Sequence, residues 1–135
     1  MASQPIEGRG ARILVVDDER DNRELLDVIL SWEGFVVLTA SCGEEALAIA
    51  LSDAPDLILL DVMMPGMDGY KLAGMLKGNP ETEKTPIVFV TALADKSARA
   101  RGSSVGAQGF VAKPVNRDDL LRTVKALLRS GQTCH

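Results

Sequence analysis

The chain has 135 residues, 46% of them apolar and 25% charged, with a formal net charge of −4. That length suits one domain whose core needs no covalent staple, and the acidic balance excludes the basic footprint of a nucleic-acid binder. No apolar run approaches the roughly 20 residues of a membrane span, the first residues lack the pattern of a secretory leader, and Cys42 and Cys134 have neither metal-ligand nor disulfide-framework spacing, so a cytoplasmic protein with two free thiols is expected.

Residues 1–10 are polar and glycine-containing, and are expected to be a frayed tail or, because Ile6-Glu7-Gly8-Arg9 reads as a factor Xa site, a cleavage remnant. Arg12-Ile13-Leu14-Val15-Val16 then forms a first apolar run, ended by Asp17-Asp18. A helical pattern follows, with Leu25, Leu26, Ile29 and Trp32 on one face. Phe35–Thr39 is the second run. Ala46, Leu47, Ala50 and Leu51 mark a second helix before the breaker Pro55. Asp56–Leu60 runs into Asp61. Leu72, Met75 and Leu76 make a third helical stripe, stopped by Gly78-Asn79-Pro80.

Pro86–Val90 ends at Thr91. The stretch 95–105 reads as a weak helix, with Ala98 and Val105 as apolar contacts and Gly102, Ser103 and Ser104 as poor interior residues. Gly109–Ala112 ends at Lys113. Leu120, Leu121, Val124, Leu127 and Leu128 form the clearest stripe, capped by Asn116 and closed by Gly131, with 131–135 as a loose end. The five strand-like runs are continuously apolar rather than alternating, which suits strands buried on both faces. Alternation with helices predicts one α/β domain over 11–130, a doubly wound five-stranded parallel sheet.

Asp17 and Asp18, Asp61, Thr91 and Lys113 follow four different strands at their C-terminal ends, where open α/β sheets bind ligands. Three carboxylates in one crevice need a counter-charge: two unit charges about 4 Å apart repel by about 4 kcal/mol at an effective dielectric near 20. A hard divalent ion with oxygen ligands answers that need. A carboxylate nucleophile, a metal, an ammonium and a hydroxyl suit a transferring phosphoryl group, where positioning and electrostatics carry most of the catalysis.

These residues resemble the receiver domain of response regulators. The resemblance rests on Val15-Val16-Asp17-Asp18-Glu19, on the long run Leu60-Asp61-Val62-Met63-Met64-Pro65-Gly66-Met67-Asp68-Gly69, on Thr91-Ala92 and on Lys113-Pro114, and spans Arg12 to Arg129. It implies a flavodoxin-like (βα)5 fold and a signalling switch rather than an enzyme. Asp61 would be the phosphoacceptor, charged by a histidine kinase or histidine phosphotransfer protein. Mg2+ would sit on Asp18, Asp61 and the Met63 backbone carbonyl, with Asp17 acting through water. Thr91 and the aromatic Phe110 would be the switch pair, Lys113 would contact a phosphoryl oxygen, and the bond to Pro114 would be cis. The face made by the fourth helix, fifth strand and fifth helix would meet partners or a second copy, without direct contact to nucleic acid or membrane.

Each position also has an ordinary structural reading. Asp17 and Asp18 could open a helix, Thr91 could cap one, and Phe110 could be plain core. Met63 and Leu93 occupy rim positions and are apolar, which predicts a long-lived phosphoryl state. Ser103 stands where relatives usually carry a larger apolar side chain, so the fourth helix is expected to be loosely held. The rival functions are a phosphatase, which would need an acid where Met63 stands; nucleotide or flavin binding, which would need a Gly-rich or hydroxyl-rich phosphate loop where Asp17-Asp18-Glu19 stands; and an unphosphorylated pseudo-receiver acting as an interaction module.

Overall fold

The computed structural model describes residues 10–64, 68–92 and 96–132, with side chains up to residue 129. Residues 1–9, Pro65-Gly66-Met67, Leu93, Asp95, Cys134 and His135, which the sequence reading also touched, lie outside the described residues. The elements alternate from β1 (Arg12–Val16), α1 (Arg20–Trp32), β2 (Val36–Ala40), α2 (Gly43–Asp53) and β3 (Leu57–Leu60) to α3 (Gly69–Lys77), β4 (Ile87–Thr91), α4 (Lys96–Ser104), β5 (Gly109–Ala112) and α5 (Arg117–Gln132). All five strands pair in parallel in the order β2-β1-β3-β4-β5. Strand β2 begins one residue later than the apolar run suggests, and α5 continues to Gln132, through the Gly131 expected to stop it.

The pleat sends alternate residues to opposite faces. Leu14, Val16, Ile58, Leu60, Ile87 and Phe89 meet Ala46 and Ala50 of α2 and Leu72, Ala73 and Leu76 of α3. Ile13, Val15, Leu57, Leu59, Val88 and Val90 meet Leu26 and Leu30 of α1 and Leu120, Leu121, Val124 and Leu128 of α5. Burial on both faces is what makes these strands read as unbroken apolar runs.

Helix α1 sits differently from its expected stripe. In α1 the buried residues are Leu26 and Leu30, while Leu25 and Trp32 are exposed, the tryptophan by 83%. In α4 the buried residue is Gly102 and Ser103 faces solvent, so the inward position is the glycine, not the serine. Caps are built locally. Asn116 Oδ1 accepts the Asp119 N–H at 3.0 Å ahead of α5, and Asp68 Oδ1 accepts the Lys71 N–H at 2.8 Å ahead of α3.

Candidate functional site: an acidic crevice at the strand ends

The adjacent strand ends of β1 and β3 place Asp17 and Asp61 side by side, both nearly inaccessible, with Asp18 exposed beside them. Each of the three offers a carboxylate oxygen, and these atoms lie within 4.8 Å of one another. Two of the acids are held in the same way. Asp17 Oδ1 accepts the N–H of Glu19 at 2.9 Å, and Asp61 Oδ1 accepts the N–H of Met63 at 3.1 Å. A carboxylate bonding the amide two residues on fixes its own loop. The second oxygens, Asp17 Oδ2 and Asp61 Oδ2, both accept from Lys113 Nζ, at 2.8 Å and 2.9 Å.

Lys113 comes from the end of β5, so its side chain reaches past the end of β4 to β3 and β1. Burial alone pushes its ammonium toward the neutral form. The hydrogen bonds and negative charges of Asp17 and Asp61 outweigh that, and hold its pKa above the ordinary lysine value. The Lys113 N–H donates to the Thr91 carbonyl at 3.0 Å, and the Lys113–Pro114 peptide bond is cis. Thr91 is fully buried in the last position of β4, inside the strand rather than beyond it.

Met63 is 57% exposed on the rim of an open depression that it lines with Val62, Met64 and Asp68. Gly69 lies against the backbone of Asp61 and Val62. Its N–H donates to the Val62 carbonyl at 2.9 Å, and a Cβ there would overlap the Asp61 carbonyl oxygen. Phe110 is half-buried against Phe89, with ring centroids 5.4 Å apart.

Arg23 escaped the sequence reading. Its guanidinium donates to the Asp17 backbone carbonyl at 2.8 Å, steadying the loop that carries Asp18. No local motif announces that contact, because it depends on α1 turning back over the end of β1.

Residues 13–125 match the profile of the response regulator receiver domain. The chain is 47% identical over 119 residues to the response regulator PleD of Caulobacter vibrioides, a match covering 88% of this chain and 26% of that protein. It is 42% identical over 121 residues to the phosphate regulon transcriptional regulatory protein PhoB of Rhizobium meliloti, covering 90% of this chain and 53% of that one. It therefore spans about half or less of these curated relatives. Among solved structures, it superposes on chemotaxis protein CheY4 of Vibrio cholerae with a TM-score of 0.83 at 34% identity, covering 87% of this chain and 98% of that one. The signal receiver domain of a signal transduction histidine kinase from Syntrophus aciditrophicus gives 0.83 at 37% identity, covering 93% and 94%. The chain belongs to the response regulator receiver family, whose members act as signalling switches in two-component systems, and its fold is flavodoxin-like. Among the described residues, no helix is long and apolar enough to cross a membrane.

Proposed function

We propose that the chain accepts a phosphoryl group on Asp61 from a phosphohistidine of a histidine kinase or histidine phosphotransfer protein, with Mg2+ bound beside it. The observation that carries the reading is the shared ammonium. Lys113 bonds Asp17 and Asp61 together, which sets a cation, a buried carboxylate and two further acids around one point. The donor set fits a hard divalent cation, since three carboxylate oxygens converge and no soft ligand is among them. Asp17, Asp18 and Asp61, with the Met63 carbonyl, would hold Mg2+, which when bound supplies positive charge beside the phosphoryl oxygens.

In the transfer a carboxylate oxygen of Asp61 bonds to phosphorus, the P–N bond breaks, and the imidazole leaves with the electron pair. The product is an acyl phosphate. Lys113 would exchange Asp61 for a phosphoryl oxygen while keeping Asp17, and the Thr91 hydroxyl would follow the new charge. Phe110 and α4 would register that movement on the face formed by α4, β5 and α5, which would meet partners or a second copy. The exposed free Cys42 suits a reducing cytoplasm. The pseudo-receiver reading has no residue in its favour, since Asp17, Asp18, Asp61, Thr91 and Lys113 are all present.

Amide shifts recorded during titration with Mg2+ and then beryllofluoride test the reading. Shifts centred on residues 17, 18, 61, 91 and 113 with each addition support it. A spectrum unchanged by both would leave only an interaction module.

A further inference from the structure

The fourth helix lacks an apolar stripe, yet it is seated. Gly102 is its buried residue and Ala98 is partly buried four positions earlier on the same face, while Arg101 is exposed beside them. Beneath them lies an aromatic row drawn from three elements. Tyr70 of α3 and Phe89 of β4 meet edge to face with centroids 5.3 Å apart, and Phe89 continues to Phe110 of β5 at 5.4 Å. A Cβ at Gly102 would stand 2.5 Å and 2.9 Å from Phe110 ring atoms and 3.0 Å from Phe89, so the backbone of α4 rests on the rings.

Tyr70 holds this helix at two points. Its hydroxyl donates to the Ala98 carbonyl at 3.2 Å, and the Arg101 guanidinium stands 4.2 Å from the centre of its ring. The other end of Tyr70 is fixed at the reactive strand. Tyr70 follows Gly69, whose backbone lies against the backbone of Asp61 and whose N–H bonds the Val62 carbonyl. Between the Asp61 strand end and α4 there is therefore one buried tyrosine.

We propose that Tyr70 is a positioning residue that ties α4 to the Asp61 strand end through its hydroxyl. The ring supplies the platform and the hydroxyl supplies the tie. Loss of the hydroxyl alone releases the first turn of α4 while leaving the aromatic core filled. A shift of the Asp61 loop reaches α4 through this side chain, and that consequence rests on the phosphoacceptor reading. The tie itself does not.

Amide exchange of the full chain, wild type against Tyr70→Phe, without ligand and with Mg2+ and beryllofluoride, tests the tie. The expected result without ligand is exchange about two- to tenfold faster over residues 98–104, the scale of one lost hydrogen bond, with residues 120–128 of α5 unchanged. Ligand is expected to alter α4 exchange less in Tyr70→Phe than in the wild type. Equal α4 exchange in the two proteins, or the same acceleration in α4 and α5, would overturn the proposal. An α4 freed by Tyr70→Phe in a chain whose wild type ignores beryllofluoride would support the tie and count against the phosphoacceptor reading instead.

Discussion

Lys113 Nζ lies 2.9 Å from Asp61 Oδ2 although β4 stands between their strands, and the same ammonium continues to Asp17. The lysine side chain is only 18% exposed and the two acids less so. Such a pair gains little net stability over apolar packing, but losing one partner strands the other charges in a dry site.

Lys113→Ala is therefore expected to cost about 3 kcal/mol in the absence of divalent ions, because two buried carboxylates lose their counter-charge. Saturating Mg2+ is expected to restore most of that loss, since binding to the folded state alone stabilises it. Urea midpoints in chelator and in Mg2+ measure both terms. An equal loss under the two conditions would contradict the shared-charge account.

The thioether of Met63 offers an attacking water no hydrogen bond as strong as an amide would. Met63→Asn places an amide on that exposed rim. The phosphoryl group is expected to be lost about two- to tenfold faster, the rate equivalent of one hydrogen bond of about 0.5–1.5 kcal/mol. Decay of the phosphorylated species, followed by mass after donor removal, reads the change. An unaltered half-life would count against the rim controlling water.

Gly102→Ala sets two effects against each other. Alanine is favoured over glycine in a helix interior by about 1 kcal/mol. The added Cβ would meet the Phe110 ring at 2.5 Å, and overpacking of this kind costs about 1–3 kcal/mol. Packing is expected to win, with a net loss of up to about 2 kcal/mol and shifted Phe110 ring resonances. A stabilised variant with unmoved rings would show that α4 does not rest on them.

Glu33 at the end of α1 bonds Lys125 of α5 at 2.6 Å and Arg117 at 3.1 Å. The hydrogen bond from Lys125 does most to hold its carboxyl below the ordinary glutamate pKa; partial burial opposes, and the charges of Lys125 and Arg117 add to the lowering. A lowered pKa contributes stability above the ordinary glutamate value, and that stability is lost as pH falls through the folded-state value. Wild type is expected to lose about 0.5 kcal/mol more than Glu33→Gln between about pH 6 and about pH 3. Parallel stability curves for the two proteins would contradict this.

The sheet was legible because β1, β3 and β4 are covered on both sides, which forces uninterrupted apolar runs. The positions of Asp17, Asp18, Asp61, Thr91 and Lys113 followed, since strand ends share one edge. The face of α1 was not legible. Leu25, Leu26, Val28, Ile29, Leu30 and Trp32 run nearly all round the helix, and docking on the sheet decides that Leu26 and Leu30 go in while Trp32 stays out. Helix α4 was legible as a weak helix with Ala98 and Val105 as its apolar contacts, but its seat was not. Its seat is made of rings from Tyr70, Phe89 and Phe110, and a glycine fits against rings better than the larger side chain a stripe would require.

Incubation with acetyl phosphate and Mg2+, read by intact mass, bears most directly on the acidic crevice. A single phosphoryl adduct is expected on the wild-type chain, absent when the metal is chelated and absent in Asp61→Asn. An adduct that persists in Asp61→Asn, or that forms equally well without divalent metal, would contradict the phosphoacceptor reading.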